Sequence, residues 1–265
     1  MKPFFAAVLA SISVLTLPGC LQVATTIQLN KDGSGKVIEE TTLGAQMSAM
    51  MDQMAALGGE ATKDPVAEMF SPIKGKAKAL TYGEGVTFVS SEPLTIGANK
   101  GARMTYSFGD INKLKFLPGN ALKDMAPPGA EIPAGADQLP IVFKYEGGKL
   151  AVTMPEPPKP SVPEAMPEEE ENPQMDEMMK QMLGDMKMSL KIVADSGIAE
   201  TTATHREGNV ITLMEMNMAE LLKNPETLKK LKAAPKNDPE AAMTVMRGLE
   251  GVKMETKKEV SVTLK

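Results

Sequence analysis

Residues 22–29 alternate in character. Val23, Thr25, Ile27 and Leu29 fall on one side of an extended chain and Gln22, Ala24, Thr26 and Gln28 on the other, the period-two signature of a half-buried strand. Lys31-Asp32-Gly33-Ser34-Gly35 supplies a turn, and residues 36–43 return as a second strand. The alternation is cleanest at Ala102, Met104, Tyr106 and Phe108, with Arg103, Thr105 and Ser107 between them, and it recurs briefly over 86–88. Ile141, Phe143 and Tyr145 face Leu150, Val152 and Met154 across Glu146-Gly147-Gly148-Lys149, whose glycines admit a primed hairpin turn. Residues 188–193, 198–204 and 210–216 read as a meander turning near Ser196-Gly197 and Glu207-Gly208-Asn209, and 252–264 as a last strand.

Between these segments the period lengthens to that of helices. One helix is expected over 45–57, stopped by Gly58-Gly59. Asp64-Pro65, Asn172-Pro173, Asn224-Pro225 and Asp238-Pro239 share one device. The Asn or Asp side chain caps a free N–H, and the proline that follows has none to leave unpaired. The expected fold class is α+β, with antiparallel hairpins and a meander forming the sheet and amphipathic helices packed on one face.

Composition divides the chain. Residues 155–173 are rich in proline and glutamate and read as an extended acidic linker, and 118–140 carry five prolines and several glycines as an irregular loop. The expected organisation is a signal segment at 1–19, an α+β region at 20–154, the linker, and a second α+β region at 174–265. All aromatics beyond the signal segment precede the linker, so methionine is expected to fill the later core. Charged residues at 24% and hydrophobic ones at 42% are ordinary globular values. A net charge of −5 lacks the basic face that nucleic acid requires.

The N-terminus carries the most specific signal. Met1-Lys2-Pro3 holds one positive charge, 4–17 is a mostly apolar run, and Leu17-Pro18-Gly19-Cys20 follows. A short apolar stretch behind a basic start is an export signal, too short to span a bilayer. Its ending resembles the lipobox of bacterial lipoproteins, with Leu17 three before the cysteine and Gly19 directly before it. That resemblance implies cleavage between Gly19 and Cys20 and acylation of Cys20, the only cysteine. It also implies a cell-envelope address. Leu21-Gln22 lacks the aspartate that retains such proteins at the inner membrane, which points to the outer one. Since a strand begins at once, there is almost no tether, and the fold is expected close to the membrane.

Candidate chemistry is sparse. The single histidine, His205, sits beside a turn without a Gly-x-Ser-x-Gly partner. Gly33-Ser34-Gly35-Lys36 lacks the earlier glycine and the hydroxyl of a phosphate loop. Asn30-x-Asp32-x-Ser34-Gly35 opens like a calcium loop, but Thr41 stands where a bidentate glutamate is needed; a hairpin turn accounts for it. Glu168 to Glu171 is a solvated charge run. The anomaly is methionine, 22 in all. Met47, Met50, Met51 and Met54 are spaced as one helix face, and Met175, Met178, Met179 and Met182 repeat the spacing. Thioethers are Cu(I) ligands, yet the same spacing packs a helix, and packing is the expected role. No cofactor is expected. The expected function is that of a non-enzymatic, lipid-anchored protein binding an envelope protein or an apolar ligand at the membrane surface. A methionine-based Cu(I) handler is the alternative, and a carboxylate-dependent hydrolase the second.

Overall fold

The structure is a computed structural model that describes residues 21–57, 64–118, 140–155, 184, 186–224, 226–227, 230 and 239–265. Cys20, residues 156–173 of the 155–173 linker and the second methionine group (Met175, Met178, Met179, Met182) lie outside the described residues, as does most of the loop at 118–140.

The chain forms a mixed α+β fold of two sheets. The larger runs β11-β10-β7-β1-β2-β4-β3, with β9 paired to β10. Its strands are β1 (Leu21–Leu29), β2 (Gly35–Leu43), β3 (Thr87–Ile96), β4 (Asn99–Phe108), β7 (Lys187–Ala194), β9 (Arg206–Glu207), β10 (Val210–Asn217) and β11 (Val252–Met254). The smaller runs β5-β6-β12-β8, from β5 (Val142–Glu146), β6 (Lys149–Thr153), β8 (Ile198–Thr201) and β12 (Glu259–Leu264). β1 lies inside the large sheet, antiparallel to β2 and parallel to β7, so the segments before and after the linker build one sheet.

The inner face follows from the alternation. Ile27, Val37, Tyr106 and Ile192 occupy neighbouring registers and are all buried. On the opposite face Arg103 pairs with Glu40 at 2.6 Å, and Glu215 lies between Lys191 at 2.9 Å and Lys253 at 3.3 Å. The small sheet covers the inner face with Phe143, Leu150, Val152, Val260 and Val262, in one core with Ile27, Leu29 and Ile211. A sheet with one apolar and one ionic face takes its cover on one side only.

Helices complete that side: α1 (Ala45–Leu57), α2 (Pro65–Met69), α3 (Pro72–Thr81), α4 (Met218–Lys223) and α5 (Pro239–Arg247). Asp64 caps α2 as expected, its Oδ1 accepting the N–H groups of Val66 and Ala67 at 3.0 Å. Asn224 accepts the N–H of Glu226 at 3.0 Å in the same manner. Ser71-Pro72 is a further use of the device, starting α3, which the sequence reading did not separate from α2.

Four expectations change. Residues 198–201 leave the supposed meander: β8 pairs with β12 in the small sheet, while β7 and β10 pair directly. The last strand is two, because Glu255 turns the chain from the large sheet to the small one. The strand beginning near Val86 runs on to Ile96, with Pro93 inside it; a missing N–H is tolerated there because β3 is an edge. Finally, branched aliphatics fill the later core, namely Leu190, Ile192, Ile198, Ile211, Leu213, Val260, Val262 and Leu264. Among the later methionines whose burial is described, Met188 alone is buried.

Candidate functional site

The large sheet has two unlike ends. At the hairpin tip, Asp32 Oδ1 accepts Ser34 N–H at 2.9 Å and Ser34 Oγ–H at 2.6 Å, and this bonding to Ser34 holds its carboxyl below the usual carboxylate range. Gly33 has φ +87, and the Tyr145 ring lies so close that a Cβ would come within 2.9 Å of it. Tyr145 donates to the Lys31 carbonyl at 2.5 Å, and Asn112 takes both its N–H (2.8 Å) and its C=O (3.2 Å). The oxygens of the supposed calcium loop are thus used within a turn. Thr41 is near the far end of β2, opposite Val23, roughly 20 Å away at strand rise.

At the other end lie Leu21, Leu43 and Lys100, in register across β1, β2 and β4. Here α1, α2, the joint before α3 and the ends of β3 and β4 enclose a cleft of about 690 Å³, within the roughly 300–1,000 Å³ range of small-molecule sites. Val66, Phe70, Pro72, Pro93, Leu94 and Ala102 give it an apolar lining; Asp52, Asp64 and Lys100 stand among the lining too. Ser48 also lines it, and its Oγ is buried with no hydrogen-bond partner among the described residues. Asp64 is already engaged as the α2 cap, so the two carboxylates of the cleft are not an equivalent pair.

Two buried acids lie elsewhere. Glu39, 4% exposed on the inner face of β2, accepts Tyr82 O–H at 2.5 Å and pairs with Lys78 at 2.9 Å. Both partners come from α3 and its C-cap, so this contact fixes the helix to the sheet. Tyr82 lies edge-on to Tyr106 at 5.1 Å and stacked on Phe116 at 6.0 Å. Glu255, 3% exposed, turns the chain between β11 and β12. Burial raises its pKa, but bonds from Thr204 Oγ1–H and from the N–H groups of Lys257, Thr204 and Thr256 outweigh that and leave it lowered.

Of the residues singled out by sequence, Met47 and Met51 pack with Met69 and Met186 around Leu21, Val23 and Leu43. The backbone of Met50 and Met54 lies in α1. His205 approaches the Met254 carbonyl at 3.3 Å beside the Glu255 turn, a structural position. Among the described residues no three His, Cys, Asp or Glu side chains converge as a metal site. The cleft residues share no motif; the Asp64-Pro65 and Ser71-Pro72 caps are the local signals that mark its rim.

No family model matches the chain, and no curated protein matches it. Among solved structures it is similar to the NMR structure of the folded domain of LppM from Mycobacterium tuberculosis, at 11% identity over 78% of this chain and 88% of that one, with a TM-score of 0.36. At that level the likeness assigns neither a family nor a role.

Proposed function

We propose that this is a lipid-anchored protein of the bacterial cell envelope, at the outer membrane, that binds an apolar ligand in the cleft between α1, α2 and the ends of β3 and β4. The observation that carries the reading is the continuity of lipobox and fold: Leu17-Pro18-Gly19-Cys20 ends directly at Leu21, the first residue of β1. Two or three acyl chains on Cys20 hold a protein stably, where one binds only marginally. The cleft supports the ligand half of the reading through its apolar lining. The role proposed is non-enzymatic.

Changing Cys20 to Ser should leave the chain uncleaved or free of membranes; normal processing and membrane retention would refute the anchor. For the cleft, the detergent-purified lipoprotein should bind a fluorescent fatty acid. Ala67→Trp, on the exposed lining of α2, should abolish binding without moving the urea midpoint. Equal binding by both proteins would remove the cleft as the site.

A protein partner is the second reading, favoured by one observation. Ile73 and Leu80 on α3 are 80% and 81% exposed, and seven residues apart they share a helix face.

A further inference from the structure

We propose that the Leu21 end of the large sheet, with α1 beside it, lies in the interfacial layer of the bilayer. The proposal rests on the anchor reading and adds an orientation to it. Leu21 is paired in register with Leu43 and is 6% exposed, so it belongs to the folded sheet and not to a spacer. The acyl chains on Cys20 therefore leave the fold from this end, one peptide unit (about 3.8 Å between Cα atoms) before the first strand residue. A tether one residue long leaves the fold little freedom to turn another face to the lipid.

The surface around that point differs from the rest. Met47, Met51, Met69 and Met186 surround Leu21 as half-buried side chains, and Met216 and Met218 do the same beyond β7, at the β10–β11 side of the sheet, around Leu221 and Val252. Unbranched thioethers repack easily against an irregular apolar medium, and acyl chains are such a medium. α1 has one charged residue, Asp52, in thirteen, with Ala45, Ala49 and Ala56 exposed; α3, which runs away from this end, has three lysines in ten. A surface helix that faces water carries charge. Lys100 and Lys187 at this end are accompanied by Asp52, Asp64, Glu68 and Glu220, so no excess of positive charge selects anionic lipid.

The sequence contains no tryptophan, so a single introduced one reports its own surroundings. Gln46→Trp and Ala49→Trp place it on exposed positions of α1, and Lys31→Trp places it at the hairpin tip. Each full-length variant, processed to the lipoprotein, is reconstituted into phosphatidylcholine vesicles with brominated acyl chains. Tryptophan at 46 or 49 should lose most of its emission to bromine, and at 31 none, with the contrast unchanged when anionic lipid is added. Co-flotation with vesicles but no quenching at 46 and 49 would overturn the orientation and leave the anchor standing; failure to co-float would overturn the anchor itself. A blue-shifted but unquenched signal would mean that protein, such as a second copy of this chain, covers α1. Quenching at all three positions would equally refute the orientation.

Discussion

The two ends of the large sheet are built from different materials and solve different problems. At the hairpin tip the contacts are directional. Gly33 admits the Tyr145 ring, Asn112 brackets the Tyr145 backbone, and Tyr82, Tyr106, Phe116 and Phe88 meet ring to ring further in. At the Leu21 end the contacts are apolar and undirected, with half-buried methionines around a few buried branched residues. Aromatic packing and fixed hydrogen bonds specify one arrangement, whereas methionine fills gaps without specifying much. The rigid part therefore holds the fold and leaves the other end free to adapt to whatever it touches.

The largest expected effect tests that division directly. Tyr106 is fully buried, on the inner face of β4 between Tyr82 and Phe88. Tyr106→Ala should cost about 3–5 kcal/mol, as for other buried aromatics, and Met47→Ala at the half-buried fringe about 1 kcal/mol. Urea titrations of the two variants measure the contrast. Equal losses would show that the methionine end is as tightly packed as the aromatic one.

A smaller effect concerns the corner formed by Glu255, the polar counterpart of those aromatic contacts. Its pKa is depressed below 4.5 in the folded chain, so the folded state binds fewer protons than the unfolded one in that range. The stability it contributes is fully present above about pH 4.5 and is lost as pH falls through the folded value. Glu215, held down by Lys191 and Lys253 against the raising effect of burial, acts in the same direction. Glu255→Gln should lower the urea midpoint at neutral pH and flatten, without abolishing, its decline below pH 4.5. A variant whose midpoint declines as steeply as the parent's would show that the four hydrogen bonds do not discriminate the ionised acid.

Much of the hairpin-tip half was legible in the sequence, and the reason is geometric. β1, β2, β4 and the β5–β6 hairpin are half-buried, so their side chains alternate, and Gly147 and Gly148 take the positive φ values (+56 and +81) that a primed turn requires. β3 was only partly legible because a bulge between Phe88 and Ser90 breaks its alternation and Pro93 reads as a breaker. The parallel pairing of β1 with β7 and the crossing of β8 to the small sheet leave no local mark, since both depend on contacts between distant segments. The cleft was illegible for the same reason: Ser48, Phe70, Leu94 and Ala102 come from four elements and share only their place in the fold. Methionine-rich spacing was visible, but not its position. The fringe gathers at one end because α1, α4 and α5 all join strand termini there and α2 packs against α1.

The smallest expected effect decides what that fringe is for. Met47, Met51, Met69 and Met186 come from three helical or strand-flanking segments and meet around Leu21, Val23 and Leu43. If their role is packing, replacing all four by leucine keeps volume and apolarity nearly constant. Each swap should cost less than about 1.5 kcal/mol, offset in the two α1 positions by leucine's equal or better helix propensity. The variant should then fold, reach the envelope and float with membranes as the parent does. If the thioethers serve as ligands, the leucine variant should fold equally well but lose Cu(I), because leucine offers no donor atom. Titration of parent and variant with Cu(I) against a competing chelator separates the two. Negligible uptake by both fits an adaptable apolar fringe; stoichiometric uptake by the parent alone would turn the soft end of the sheet into a metal site and overturn the packing role.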